Sequence, residues 1–176
     1  PAQVMGGTQD NGTVGREMDI EDWPQVIGGD GGFAAWDHAD PSIRYTTYVY
    51  LSVYRFTPLG VDNITGPWDF EGDSVNFIAP LVMDPNDSHT LLGGTNRVWR
   101  TTDAHASATW TPISEQNLGG RLNAIAVASG NSNVIYTGAV NGNVFVTTDA
   151  ATWINRTPPA IQAQVADICI SPTDPG

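Results

Sequence analysis

The sequence contains no lysine: 19 acidic side chains face 7 arginines, and the 176 residues carry a formal net charge of -12. Without a cluster of cations to displace counterions, nucleic acid and anionic membrane surfaces are excluded as partners. There is one cysteine, Cys169, so neither an internal disulfide framework nor a thiolate zinc site can be built. Its neighbours Ile168 and Ile170 place it in a short apolar strand as a buried bystander. No uncharged apolar run approaches the roughly 20 residues of a membrane-spanning helix. The first residues, Pro1-Ala2-Gln3, have neither the basic nor the apolar region of a secretion leader.

What is present points to strands. Forty per cent of the residues are hydrophobic, including 6 Trp, 5 Tyr and 5 Phe, which is enough for a packed core despite the charge. Nineteen Gly and 12 Pro, with only 15% charged residues, favour short strands and tight turns over helices. The acids are 15 Asp to 4 Glu, the choice that suits turns, and the loss of lysine fits a salty or extracellular setting.

The chain also repeats itself. Residues 77–114 read Phe-Ile-Ala-Pro-Leu-Val-Met-Asp-Pro, then Thr90-Leu-Leu-Gly-Gly-Thr, then Arg97-Val-Trp-Arg-Thr-Thr-Asp103, then Thr109-Trp-Thr-Pro. Residues 122–157 follow the same order through Leu122-Asn-Ala-Ile-Ala-Val, Val134-Ile-Tyr-Thr-Gly, Asn143-Val-Phe-Val-Thr-Thr-Asp149 and Thr152-Trp. Asp103 and Asp149 lie 46 residues apart and Trp110 and Trp153 lie 43 apart, the length of one four-stranded propeller blade with strands A to D. Val4–Thr8 matches a strand B, and residues 165–175 match a strand A. A diverged blade lies between, with 33–41 as strand A and its turn, 43–48 as B, 50–56 as C and 68–71 as D. The expectation is one all-β domain over 1–176, a partial propeller of three full blades (33–72, 77–114, 122–157) and two partial ones (4–27, 165–176). Val82, Ile125 and Ile168 should be equivalent in strands A, and Val98 and Val144 in strands C. Open edges at both ends call for the remaining blades of a larger parent chain or for self-association.

The C–D turns Thr101-Thr102-Asp103…Thr109-Trp110 and Thr147-Thr148-Asp149-Ala-Ala-Thr-Trp153 resemble the Asp-box, or BNR, repeat, Ser/Thr-x-Asp-x-Gly-x-Thr-Trp. One copy is two residues longer than that pattern, the other one shorter, and both lack its glycine. With Gly6-Gly-Thr-Gln-Asp-Asn-Gly-Thr13 and Trp23 to Gly32, the whole chain is similar to secreted bacterial propellers related to sialidases, xyloglucan hydrolases and the sortilin ectodomain. The resemblance implies that Thr102, Asp103, Trp110, Thr148, Asp149 and Trp153 are structural and lie opposite the ligand face. A carboxylate opening a hairpin accepts the turn's N–H groups, and the Trp packs between blades.

Strand counting assigns B–C and D–A loops to one face, and A–B and C–D loops to the other. Asp10, Asp30 and Asp73 fall on the ligand face and are the candidate catalytic carboxylates, since glycoside cleavage needs two flanking carboxyl groups. Gln9, Asn11, Glu115, Arg97 and Arg121 are candidate ligand contacts beside them. Asp-Asn-Gly and Gly-Asp-Gly are equally ordinary turn sequences. Seven dispersed arginines form no cluster for a sialic acid carboxylate. Trp68 and Phe70 could stack on a sugar with Asp69, Glu71 and Asp73 beside them, or Trp68 could be the inward-packed Trp of its blade. His38, His89 and His105 are widely spaced and disfavour zinc; no cofactor is expected, while structural calcium on Asp-rich turns stays open. Asn11, Asn63, Asn86 and Asn155 begin Asn-x-Ser/Thr triplets, relevant only in a eukaryotic secretory protein. Two functions remain: a secreted propeller binding a glycan or protein through its B–C/D–A face, favoured because no convincing catalytic pair stands out, or a xyloglucanase-like glycoside hydrolase.

Overall fold

The computed structural model describes residues 3–17, 21–114, 117–160 and 163–173. Its 15 strands form four antiparallel sheets in chain order. Blade I contains β1 (Gln3–Thr8), β2 (Gly12–Glu17) and β3 (Gln25–Ile27). Blade II contains β4 (Ala34–Trp36), β5 (Arg44–Thr47), β6 (Val53–Thr57) and β7 (Gly60–Asn63). Blade III runs through β8 (Leu81–Asp84), β9 (Asp87–Gly94), β10 (Val98–Thr101) and β11 (Thr111–Pro112). Blade IV runs through β12 (Leu122–Ala128), β13 (Asn131–Ala139), β14 (Val144–Thr147) and β15 (Ile154–Asn155). Each sheet is a simple meander, and blade I has three strands among the described residues.

Because successive strand residues point to opposite faces, a strand between two blades must be apolar on both sides. Leu91 packs into the blade II/III core with Tyr45, Leu51, Val53, Trp68, Trp99 and Trp110. Its neighbour Leu92 turns into the blade III/IV core with Val98, Leu118, Leu122, Ile135 and Trp153. Each fully buried side chain of this size contributes about 1.5–3 kcal/mol.

The blades share one register. Strands C begin at Val53, Val98 and Val144, whose N–H groups donate to the hydroxyls of Thr65 (2.9 Å), Ser114 (2.9 Å) and Thr157 (3.0 Å). Ile64, Ile113 and Arg156 then donate their N–H groups to the carbonyls of those same three valines. This repeated clip fixes where strand D starts, and Val98 and Val144 are equivalent as expected.

Several details differ from the sequence expectations. Strand D of blade II is Gly60–Asn63, because Pro58, Leu59 and Gly60, the last at φ 140°, turn the chain back at once. Trp68–Glu71 instead form turns closed by Glu71 N–H to Pro67 O and Asp73 N–H to Trp68 O, both 3.0 Å. Val61 therefore occupies the place of Trp110 and Trp153 in blade II. In strand A, Leu81, not Val82, is the counterpart of Ile125; they pair with Gly93 and Thr137, one residue before the equivalent Gly94 and Gly138. Residues 163–173 form no strand, and Cys169 is exposed rather than buried, because no strand among the described residues pairs with this segment.

Candidate functional site

On the B–C/D–A face, the turn Gln9–Gly12 and the loop Gly28–Gly32 dock onto each other. The Asp10 N–H donates to Asp30 Oδ1 at 2.8 Å, and Gly31 N–H donates to Thr8 O at 3.0 Å. The approach requires glycine: a Cβ on Gly31 would overlap Gly12 O. Asp10 itself is left-handed at φ 64°, a conformation asparagine and aspartate tolerate, and is exposed. Asn11 Nδ2 donates to Gln9 O at 3.2 Å and Gln25 Nε2 donates to Asn11 O at 2.9 Å, so the turn is held from both sides. Asp10 and Asp30 thus meet, with one Asp30 oxygen already engaged.

Asp73 is a different kind of group. Its side chain is 4% exposed and accepts from Thr95 Oγ1 (2.6 Å), Trp99 Nε1 (2.7 Å), Arg97 Nε (2.9 Å) and Arg97 Nη2 (2.7 Å). Burial raises its carboxyl, but the hydrogen bonds from Arg97, Thr95 and Trp99, with the Arg97 charge, outweigh that and hold it below the usual carboxylate range. A carboxylate locked in its ionised form cannot serve as a general acid. Arg97 is spent on this pair and lies over the Trp99 ring at 4.9 Å, so it ties blade III's B–C turn to the preceding D–A loop. Arg121 is exposed on the same face, and Glu115 lies outside the described residues.

The face also carries aromatics that sequence reasoning missed. Tyr50, 52% exposed in the B–C turn of blade II, and Phe77, 41% exposed in the following D–A loop, meet edge to face at 5.5 Å. Tyr50 N–H donates to Phe77 O at 2.9 Å, and Tyr50 and Leu51 both have positive φ, 54° and 60°. Two consecutive non-glycine residues in that region represent stored strain of about 1–3 kcal/mol each. Tyr48, in the same turn, lies against Gly29 beside Asp30, so carboxylates and aromatics are continuous. Trp68, by contrast, is fully buried against Trp99 and Trp110 and cannot stack on a ligand; Phe70 is exposed.

The Asp103 and Asp149 carboxylates lie at the other ends of the sheets. Asp103 accepts from Thr101 Oγ1 and Thr109 N–H, both at 2.7 Å; Asp149 accepts from Thr147 Oγ1 (2.9 Å), Ala151 N–H (2.9 Å) and Thr152 N–H (2.7 Å). These bonds hold Asp149 far below the ordinary range, led by the Thr152 and Ala151 N–H groups, and Asp103 below it, led by Thr101. The hydroxyls involved belong to Thr101 and Thr147, whereas Thr102 and Thr148 point to solvent. Ala108 (φ 51°) and Ala150 (φ 56°) are left-handed in these hairpins. The indole N–H groups of Trp110 and Trp153 donate to Ile64 O (2.7 Å) and Ile113 O (2.9 Å), the same carbonyl position of each preceding blade.

The histidines are not isolated turn residues. His105 pairs with the fully buried Asp37 carboxylate and stacks edge to face on His89 at 4.1 Å, while His38 lies 3.2 Å from Asp84 O. Burial raises the Asp37 carboxyl, but N–H donors of Asp40 and Ala39 and the His105 contact hold it low. This cluster pins A–B turns to a C–D loop. Blade counting would have placed all of these residues on one face. Among the described residues no three or more His, Cys, Asp or Glu gather as a metal would need.

No protein-family profile and no curated protein matches the chain. Solved structures do. The GH74 xyloglucanase from Xanthomonas campestris superposes with a TM-score of 0.69 at 13% identity, over 98% of this chain and 32% of that one. A GH74 enzyme of Niastella koreensis gives 0.65 at 16% identity, over 88% and 27%. A chain of the mitotic checkpoint complex gives 0.67 at 12% identity, over 98% and 53%. The chain spans less than a third of these GH74 enzymes and about half of the third protein. At such identities the likeness shows the fold alone, and with the meandering sheets it establishes an all-β segment of a β-propeller.

Proposed function

We propose that this chain is a secreted, extracellular glycan-binding propeller segment of the Asp-box type, and that the B–C/D–A face holds the ligand. The observation that carries the reading is the exposed Tyr50–Phe77 pair, kept out of the core by a strained turn and adjoining the Asp10/Asp30 loops. A pyranose presents an apolar face that stacks on an aromatic ring and a rim of hydroxyls that hydrogen-bond to carboxylates and amides. Tyr50 and Phe77 supply the platform, while Asp10, Asp30, Gln9 and Asn11 supply acceptors and donors at its edge. The likeness to a xyloglucanase makes a plant β-glucan the first ligand to try.

A binding role is favoured over hydrolysis because Asp73 is sealed as a structural ion and Asp30 is engaged by the Asp10 N–H. Affinity electrophoresis through xyloglucan and related polysaccharides, run beside a reducing-sugar assay, tests the reading. Retardation lost at least tenfold in Tyr50→Ala and Phe77→Ala, with unchanged circular dichroism and no sugar release, is expected. Sugar release abolished by Asp10→Asn or Asp30→Asn would instead establish the hydrolase, and binding indifferent to both aromatics would end the proposal.

A further inference from the structure

Blade II presents a different outer rim from blades III and IV. Its strand D, β7, runs four residues, all exposed, where β11 and β15 run two each. Val61 stands there in the place from which Trp110 and Trp153 reach the preceding blade. Among the described residues β7 bonds to β6 on one side and to no strand on the other. The groups it turns outward follow from the ladder. Ile64 N–H donates to Val53 O, so those two residues form a bonded pair, and antiparallel alternation makes Asp62 opposite Arg55 the next one. Val61 and Asn63 therefore direct their N–H and C=O groups away from the sheet, while the Asp62 side chain meets Arg55 on the side of blade III.

Beside this edge lies a cleft of about 620 Å³, bounded by Asp40, Ile43, Leu59, Val61, Asp62 and His105. Leu59, at the tip of the hairpin, is fully exposed, and Val61 is 55% exposed. The wall supplied by blade III is held in place before any ligand arrives. Arg55 Nη1 donates to Ala104 O (2.8 Å) and Ala106 O (2.7 Å), the carbonyls on either side of His105, and the His105 ring pairs with the buried Asp37 carboxylate. Blade III reaches this far because its hairpin from Thr101 to Trp110 is longer than the equivalent one from Thr147 to Trp153. Arg55 also donates to Asp62 Oδ2 through Nη2 (2.8 Å) and Nε (3.3 Å), so its charge is spent. Asp40 Oδ1 takes both donors of Ser42. Asp62 Oδ1 and Asp40 Oδ2 accept no hydrogen bond among the described residues, which leaves the cleft with two anionic acceptors and no uncommitted cation.

We propose that β7 is a docking edge for an extended segment of another protein with an apolar–basic–apolar sequence. The backbone of that segment pairs with the outward N–H and C=O groups of Val61 and Asn63, adding a fifth strand to blade II. Directly opposed residues share a face, so the central Arg or Lys stands opposite Asp62 and enters the cleft, where it donates to Asp62 Oδ1 and Asp40 Oδ2. Leu59 and Ile43 pack along its methylene stem. The two apolar side chains fall on the other face, over Val61. Charge selects the partner: Asp62 is the charged residue of β7, so a cation opposite it is favoured and an acidic segment is repelled. A second copy of this chain, with a net charge of -12, is a poor occupant for the same reason. The cleft lies among the A–B and C–D loops, at the opposite end of the sheets from Tyr50 and Phe77, so this surface does not depend on the glycan reading and does not compete with it.

Fluorescence anisotropy of a labelled peptide, Gly-Ser-Val-Arg-Val-Ser-Gly, titrated with the full chain tests this. Saturable binding is expected. Exchanging the peptide's Arg for Glu, or methylating the backbone nitrogens of its two valines, should weaken binding about tenfold or more, the value of one hydrogen bond to a charged group or of a lost pair of strand bonds. These two changes leave the protein untouched, so they remain decisive if a protein variant misfolds. Asp62→Asn and Asp40→Asn, with unchanged circular dichroism, should each weaken the parent peptide, and an excess of xyloglucan oligosaccharide should not displace it. No saturable binding of the Arg peptide, equal binding of the Glu or the methylated peptide, or indifference to both protein variants would overturn the proposal. Displacement by the oligosaccharide would overturn it too, by putting the peptide on the glycan face.

Discussion

Replacing Trp110 isolates what the inter-blade tether contributes. Its indole is 6% exposed, stacks edge to face on Trp68 at 5.4 Å and donates to Ile64 O at 2.7 Å, so it combines apolar burial with a buried hydrogen bond between blades. Trp110→Phe keeps most of the ring contact but removes the donor and leaves the Ile64 carbonyl buried without it. That change should cost about 1–2 kcal/mol, the usual penalty for orphaning a buried acceptor. For a chain of this size the melting temperature should fall by about 2–8 °C. Trp110→Ala also removes the ring and opens a cavity, and should cost about 3–5 kcal/mol. Urea unfolding followed by circular dichroism near 218 nm reads both without relying on tryptophan emission. A Phe variant as stable as the parent would refute the tether, and an Ala variant no worse than the Phe variant would refute the packing.

Asp73→Asn should destabilise by about 3–5 kcal/mol, because it strands the 16%-exposed Arg97 guanidinium, and chemical denaturation reads this directly. Asp103→Asn and Asp149→Asn should lower the melting temperature at pH 7. The folded carboxyls sit below their unfolded values, so their stabilisation is present above the unfolded value and is lost as pH falls through the folded one; melts from pH 7 to 2 should show parent and variants converging at the acid end. Ala150→Gly should be neutral to a few tenths of a kcal/mol stabilising, while Ala150→Val should lose about 1–2 kcal/mol or more, because a β-branched residue fits φ 56° poorly; thermal melts of the pair decide it.

The all-β meander of four-stranded blades was legible in the sequence because it follows from periodicity, and so was the place of Asp103 and Asp149 in hairpin turns whose N–H groups they accept, because that follows from local hydrogen bonding. Blade II was legible only in part. Trp68 imitates a strand D tryptophan, but a tight turn at Pro58–Gly60 had already closed the sheet, and no period signals that shortcut. Cys169 looked buried because its flanking isoleucines need a partner strand that the described chain does not bring to them. The Asp37–His105 and Tyr50–Phe77 contacts join neighbouring blades across 68 and 27 positions, so they become visible only when the loops of adjacent sheets are set side by side.

Chemical-shift mapping with a xyloglucan oligosaccharide on the isotope-labelled chain tests the binding face most directly. Saturable shifts are expected at residues 9–12, 28–32, 48–51 and 76–77, with none at 103–109 or 149–152. Shifts concentrated in the C–D hairpins would contradict it, as would no saturable shift with any of a panel of polysaccharide fragments.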